Sequence, residues 1–240
     1  MVLILFLLIL LPTAKGAVID VTVADYVDAD IIGLKHEEFG VGMKTTFEAF
    51  NSGSVGCKAI FRLDLSNENQ ELTLWSRPVN FQPNEREIFE FYWFSLNNTG
   101  NFTGKVKYYC ANEIKEVENF DIYLKEYLLS KPTIEINSVK FFENKIVLHI
   151  KPTVVGEFVI LASDYPKSWK IEQKKFYARN SWIKYVELNY EADVWREGKM
   201  KIIVLNDKRD YGIKEVELKK EKKLNEILFR LTSFVRSFLQ

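Results

Sequence analysis

The two halves of the chain carry a faint internal repeat, and this repeat limits the possible folds more than any other feature. Residues 104–113 resemble residues 198–207, and the segments that follow, 114–118 and 213–217, both read Ile-Lys-Glu-Val-Glu. The second copy has five additional residues, 208–212, between its matching segments. The copies lie about 95–100 residues apart, the size of a β-sandwich domain and too long for a solenoid unit. The repeat therefore predicts two similar domains in series.

Alternating apolar and polar residues between turn clusters predict that both domains are built from β-strands. In the segments 57–65 and 88–94, every second residue would face a core, and a period of two is typical of a strand with one buried face. The expected fold class is all-β, with two tandem immunoglobulin-like β-sandwiches followed by a C-terminal amphipathic α-helix. The expected boundaries are a signal peptide over 1–16, a first sandwich over 17–130, a second over 131–219 and the helix over 220–240.

The beginning of the chain has the pattern of a secretory signal peptide. Residues 2–11 are all apolar, but this run is shorter than the roughly 20 residues of a membrane helix. Pro12 ends the run, and Ala14 and Gly16 are small residues at the two positions that a signal peptidase reads. We expect cleavage after Gly16 and a location outside the cell or on its surface. No basic residue precedes the apolar run, so an uncleaved N-terminal anchor is the alternative.

The only two cysteines, Cys57 and Cys110, are expected to form a disulfide. An even number of cysteines in a secreted chain favours pairing. Their spacing is about what is needed to join the two sheets of a sandwich. Two buried free thiols are the alternative if the chain is not secreted. In the second copy of the repeat, Glu157 and Val204 stand at the matching positions.

The end of the chain changes to a helical period. Between 224 and 239, apolar residues recur every three or four positions opposite a polar face, which predicts an amphipathic helix. The polar face makes this helix unsuited to spanning a bilayer. It could dock on its own sandwich, self-associate or bind a partner, or lie on a membrane surface.

Residues suited to catalysis or metal binding are scarce. The two histidines are His36, expected in a loop, and His149, expected on a strand face. The chain has no nucleophile elbow, phosphate-binding glycine loop or zinc-binding cysteine pair, and its acidic segment 20–30 lacks the pattern of a calcium loop. The 33 Lys and Arg residues balance the 33 Asp and Glu residues, so no net charge attracts nucleic acid. We therefore expect no enzyme activity, cofactor, metal site or nucleic-acid partner.

Two groups of residues are candidates for modification or binding at the surface. Asn97 and Asn101 each begin an acceptor sequence for N-glycosylation in an expected surface turn. The segment 165–182 mixes aromatic and basic residues, a composition that could bind an acidic polysaccharide or protein. The favoured alternative is that its aromatic side chains face the core. The candidate ligand patch comprises Tyr165, Trp169, Phe176, Tyr177 and Trp182.

The first domain contains four turn motifs: 50–53 (Phe-Asn-Ser-Gly), 83–85 (Pro-Asn-Glu), 100–104 (Gly-Asn-Phe-Thr-Gly) and 112–113 (Asn-Glu). These motifs resemble those of the CARDB family, the adhesion-type immunoglobulin-like domains found on archaeal and bacterial surfaces. The resemblance covers about residues 35–125 and implies a non-catalytic surface domain, with no binding site carried over. Tyr108, two residues before Cys110, also resembles the tyrosine of an immunoglobulin tyrosine corner.

These patterns predict a secreted or cell-surface structural or adhesion protein without catalytic activity. The expected partner is a cell-surface protein or polysaccharide, with possible self-association or membrane-surface contact through the C-terminal helix. An accessory carbohydrate-binding module of an exported system is the alternative, and a hydrolase with an unrecognised site is a third possibility. Exposed aromatic rings in 165–182 would favour the carbohydrate-binding module.

Overall fold

A computed structural model describes residues 25–95, 99–125, 131–192 and 194–219. These residues form sixteen β-strands, which confirms the all-β fold class. Within the described ranges, no helix has the length and apolar character needed to cross a membrane. The expected signal peptide and the expected C-terminal helix both lie outside the described residues.

The first eight strands form two antiparallel sheets. One sheet has the order β1-β2-β6, and the other has the order β4-β3-β7-β8 with the short strand β5 also paired to β3. The strands are β1 (Asp30–Phe39), β2 (Gly42–Phe50), β3 (Cys57–Ser66), β4 (Glu71–Trp75), β5 (Val79–Phe81), β6 (Arg86–Trp93), β7 (Gly100–Cys110) and β8 (Glu113–Leu124).

Alternating side chains of these sheets enclose the first core. On β3 the predicted inward residues from Ala59 to Leu65 are buried, and on β6 the same holds for Phe89, Phe91 and Trp93. Phe47 of β2 lies at the centre, with its ring 5.8 Å from Phe61 and 5.7 Å from Phe91 between centroids. Each buried side chain of this size stabilises the fold by about 1.5–3 kcal/mol. The first half is therefore a β-sandwich with its own aromatic core.

The last eight strands form a second β-sandwich with a separate core. Its sheets have the orders β12-β14-β10-β9 and β13-β11-β15-β16. In spatial order they correspond to the ABED and CFG sheets of immunoglobulin-type domains with one strand, β13, added to the second, although β13 follows β12 in the chain. The strands are β9 (Glu135–Phe141), β10 (Lys145–Lys151), β11 (Gly156–Ser163), β12 (Trp169–Ile171), β13 (Lys174–Ala178), β14 (Lys184–Ala192), β15 (Lys199–Asn206) and β16 (Tyr211–Glu217).

The two sandwiches differ in the sheet to which their fourth strand belongs. In the first sandwich, β4 pairs with β3 and stays in the sheet of its predecessor. In the second, β12 crosses to the opposite sheet and pairs with β14. As a result β14 has a neighbour on both sides, whereas among the described strands its counterpart β6 pairs only with β2.

The internal repeat of the sequence corresponds to the last hairpin of each sandwich. Both copies place a lysine and a glutamate at equivalent positions, and the ion pairs Lys105–Glu116 and Lys199–Glu215 have N–O distances of 3.2 and 2.6 Å. These side chains are more than one third exposed, and such surface pairs contribute only about 0–1 kcal/mol each. The repeat therefore reflects the same hairpin surface built twice.

Asparagines shape the turn motifs of the first sandwich. The buried Asn51 accepts a hydrogen bond from the Gly53 amide and donates two to backbone carbonyls, so its side chain holds the turn after β2. Asn84, before β6, and Asn112, between β7 and β8, have positive φ angles of 65° and 70°. Asparagine tolerates this left-handed conformation better than most residues do.

Cys57 and Cys110 are bonded in a disulfide, as predicted. The predicted placement across the sandwich is wrong, because β3 and β7 are adjacent strands of one sheet. Cys57 begins β3 and Cys110 ends β7, so the bond ties two neighbouring strand ends. The hydroxyl of Tyr108 lies 3.6 Å from Sγ of Cys57. Burial raises the pKa of the Tyr108 phenol to about 12.

Candidate functional site

The two sandwiches meet through a third apolar cluster that belongs to neither core. Tyr92 and Phe94 come from the β6 region of the first sandwich, and Leu161 and Leu205 come from the outer face of the β11–β15 sheet in the second. We call this group the interface cluster, and all its members are buried. Its full membership is Phe39, Tyr92, Phe94, Val159, Leu161, Ile203, Leu205 and Tyr211.

The sequence analysis missed this interface, although the sequence contains a signal for it. In β11 the residues 158–162 are all apolar, as are 202–205 in β15, and all of them are buried. A strand with one solvent-facing side alternates, whereas a strand covered on both faces reads as a continuous apolar run. The two runs therefore indicated that the outer face of this sheet is covered.

Polar contacts surround the interface cluster. The hydroxyl of Tyr165 donates a hydrogen bond of 2.7 Å to the carbonyl of Thr73, and burial raises its pKa well above its usual range. The side-chain amide of Gln173 accepts a hydrogen bond from the backbone N–H of Tyr92 and donates one to its carbonyl. Burial also raises the pKa of the Tyr92 phenol to about 12. Both phenols therefore stay neutral at physiological pH.

Backbone segments also touch across the interface. Gly40, in the turn between β1 and β2, has a φ of 61°. A Cβ atom at this position would collide with the carbonyl oxygen of Asn206, at the end of β15. The second sandwich can approach this turn closely only because residue 40 is a glycine.

A cleft of about 390 Å³ opens beside the interface cluster, a volume in the usual range for ligand sites. Trp75 of β4 lies at its edge and forms an isolated parallel bridge with Glu172 of the second sandwich. The Trp75 indole is buried, and its ring centroid lies 5.3 Å from Cζ of Arg62 and 5.7 Å from Nζ of Lys170. The lining residues are Trp75, Ser76, Arg77, Ile88, Phe89, Glu90, Tyr92, Val159, Glu172, Gln173, Lys174 and Lys175.

Charges in the cleft are partly paired. Nζ of Lys175 lies 3.5 Å from a carboxylate oxygen of Glu90 across the interface, and 2.9 Å from one of Glu157. Burial lowers the pKa of Lys175, but its bonds to Glu157 and Tyr92 outweigh this effect and raise the pKa above its usual range. Lys174 lines the cleft and forms no ion pair with any described residue.

The five aromatic residues of the candidate ligand patch do not form one surface. Trp169 is fully buried in the second core, and Phe176 is half-buried with its ring 5.4 Å from Phe158. Tyr165 lies at the interface. Only Tyr177 and Trp182 project outward, with exposures of 63% and 52%.

The other candidate residues are dispersed. His36 lies in β1 rather than in the expected loop, with Nδ1 3.0 Å from the hydroxyl of Thr45, and burial lowers its pKa. His149 lies on β10, 3.1 Å from the Ser138 hydroxyl. Asn101 is exposed but belongs to β7 rather than to a turn, and Asn97 lies outside the described residues. The described ranges contain no group of three or more potential metal ligands.

Comparisons with known proteins give no family. No protein-family model matches the chain, and no curated protein does. Solved structures with some similarity include red sea bream transglutaminase (13% identity, 85% of this chain and 32% of that one, TM-score 0.25). The chicken interferon gamma receptor alpha chain is 11% identical, and the match covers 81% of this chain and 98% of that one, with a TM-score of 0.27. Salmonella alpha-2-macroglobulin is 8% identical, and the match covers 80% of this chain and 16% of that one, with a TM-score of 0.26. The chain thus spans about a third or less of two of these proteins, and TM-scores this low do not indicate a function.

Proposed function

We propose that this chain is a secreted or cell-surface structural or adhesion protein in which two immunoglobulin-like sandwiches act as one rigid body. The interface cluster is the observation that supports this proposal most directly. Eight buried apolar side chains join the sandwiches, whereas domains that move independently meet through smaller and more polar surfaces. A rigid pair of sandwiches is suited to holding a binding surface at a set distance from the cell.

The disulfide supports the proposed location outside the cytoplasm. Disulfides persist in oxidising compartments and are rare in the cytosol, where thiols are kept reduced. The Cys57–Cys110 bond is therefore in keeping with export. We further propose that the first sandwich belongs to the CARDB type, on the strength of its turn motifs.

Cell-surface exposure can be tested on intact cells of the organism that makes the protein. Protease treatment of intact cells should remove the protein from the cell fraction, while a cytosolic marker remains. Retention of the purified chain on isolated cell envelopes should then be measured. A protein that resists the protease until the cells are lysed, and does not bind envelopes, would contradict the proposal.

A carbohydrate-binding module remains the second candidate because Tyr177 and Trp182 expose their rings. Aromatic rings presented outward are the feature that such a module would need. A glycan array with the purified chain tests this function, and Tyr177→Ala with Trp182→Ala should abolish any binding. Tyr26→Ala is a matched control, since Tyr26 is an exposed aromatic residue of the other sandwich. Binding that survives the double change would exclude this surface.

A further inference from the structure

The outer edge of β6 is unpaired among the described strands, whereas the matching edge of the second sandwich is paired. β6 follows β1 and β2 in its sheet as β14 follows β10 and β9, but only β14 continues to a further described strand, β12. An edge of this kind presents backbone donors and acceptors that can pair with another strand. Comparison of the two sandwiches therefore identifies a strand position that the described part of the first sandwich leaves unfilled.

The contact between Tyr92 and Gln173 shows which backbone groups lie on this edge. The N–H and C=O of Tyr92 point away from β2, since both bond to the Gln173 side chain. In an antiparallel pair, every second residue directs these groups to the same side. The N–H and C=O of Ile88 and Glu90 therefore also point away from β2, and no described residue bonds to them.

Gln173 indicates which kind of chemical group this edge binds. Its side-chain amide offers one carbonyl and one N–H to a single residue, as an opposing residue of an antiparallel strand does. Gln173 thus takes the place of one peptide unit opposite Tyr92. The free groups of Ile88 and Glu90 continue the row at the two-residue repeat of a strand, about 7 Å. A row of donors and acceptors with this spacing matches an extended polypeptide.

The cleft beside this edge offers side-chain contacts to such a segment. Residues of both sandwiches line its volume of about 390 Å³. Ile88 leaves 65% of its surface exposed there, so it provides an apolar contact for a side chain on the same face of an added strand.

The charges of the cleft favour an acidic segment. Three cations line it against two carboxylates. Arg77 pairs with Glu87, and this carboxylate lies outside the lining. Lys175 pairs with Glu90. Lys174 forms no ion pair with any described residue, so a carboxylate on the incoming segment has a cation to meet.

We propose that the cleft binds an extended segment of a partner protein, which adds a β-strand to the free edge of β6 and brings an acidic side chain to Lys174. In this mode of recognition, main-chain hydrogen bonds provide affinity and the side-chain contacts provide specificity. Gln173 and Lys174 belong to the second sandwich, so the complete site needs both sandwiches. The inference therefore rests on the proposed rigid pair of sandwiches, but not on their location at the cell surface.

Peptide selection followed by hydrogen exchange tests the proposal. The purified chain is the target, and the probe is a random library of seven-residue peptides displayed on phage. We expect enriched peptides that are rich in β-branched residues and contain Asp or Glu. At saturation, synthetic copies should slow the exchange of the Ile88 and Glu90 amides by at least about tenfold, because a paired strand must open before they exchange.

Methylation of the peptide backbone tests for a strand without altering the protein. Only every second N–H of an added strand points to its neighbour. N-methylation of one alternate set of residues should therefore abolish binding, while methylation of the other set should preserve it.

Variants of the chain locate the bound peptide. Proline is tolerated at an edge position whose N–H faces outward, so Ile88→Pro should keep the pairing with β2 and weaken peptide binding by about tenfold or more. Ile88→Thr keeps the N–H and a β-branched side chain, so it should bind more tightly than Ile88→Pro does. Lys174→Glu should weaken binding by about two- to fivefold. Lys35→Glu reverses an exposed charge on β1, at the opposite edge of the same sheet, and should have no effect.

Several outcomes would overturn the proposal. Slow exchange at Ile88 and Glu90 in the free monomer would show that the edge is covered within the molecule, and slow exchange that accompanies a dimer would assign it to a second copy. A library that yields no binder, or binders that tolerate methylation of either set, would exclude strand addition. Equal effects of Lys174→Glu and Lys35→Glu would contradict an acidic segment. All these measurements use purified protein, so their results are independent of the protease test of cell-surface exposure.

Discussion

Removing the ring of Phe94 should separate the two sandwiches without unfolding either. Phe94 is 1% exposed and its ring centroid lies 5.5 Å from that of Tyr211 across the interface. Replacing a buried phenylalanine with alanine costs about 3–5 kcal/mol. At about 1.4 kcal/mol per factor of ten, this change reduces the ratio of docked to undocked molecules by roughly 10²–10³·⁵-fold. Phe94 belongs to the interface cluster and to neither core, so both sandwiches should remain folded.

Small-angle scattering and calorimetry would measure this effect. The radius of gyration of Phe94→Ala should increase, and the melting of the two sandwiches should resolve into separate transitions. Ile88→Ala alters an exposed side chain on β6, the strand that ends just before Phe94, and should change neither quantity. Phe47→Ala, which opens the first core, should destabilise the first sandwich itself. If Phe94→Ala destabilises the first sandwich as Phe47→Ala does, and leaves the radius of gyration of the folded protein unchanged, the interface cluster does not hold the two sandwiches together.

Three further predictions concern single contacts. Replacing Cys57 and Cys110 with serine should lower the free energy of unfolding of the first sandwich by about 4 kcal/mol, from the chain entropy of the loop that the disulfide closes, and urea titration would detect this. Gly40→Ala should open the interface and increase the radius of gyration measured by scattering, because the added Cβ would collide with the second sandwich. Gly33 has a similar φ of 64° but open space around it, so Gly33→Ala should leave the radius of gyration unchanged. Burial lowers the pKa of His36 below its usual value of 6.5 in the folded state. As the pH falls through 6.5, the unfolded state therefore binds more protons than the folded state, and the free energy of unfolding should decrease. His36→Gln should lack that part of the decrease between pH 8 and pH 5.

Local patterns predicted most of the strands because each depends on near neighbours. The alternation of apolar residues placed Phe89, Phe91 and Trp93 in the core without any knowledge of their partners. His36 was misplaced because residues 35–38 are all polar, and this segment becomes a strand through pairing with β2. A similar limit applies to the disulfide, since the number of cysteines predicts a bond but not which strands are adjacent.

The sequence alone determined that this chain forms β-strands in two similar units, each with an alternating core face, because strand periodicity and the internal repeat are encoded locally. Only the tertiary structure decided where those units touch. Tyr92 and Phe94 could have faced solvent, and the candidate ligand patch could have formed one surface. The docking of one sheet face on the neighbouring sandwich buried Tyr92 and Phe94. The candidate ligand patch was divided mainly by the second core, which contains Trp169 and packs against Phe176. Contacts between residues that are 81 (Tyr92 and Gln173) to 166 (Gly40 and Asn206) positions apart depend on how the completed sheets fit together, and no short segment encodes that fit.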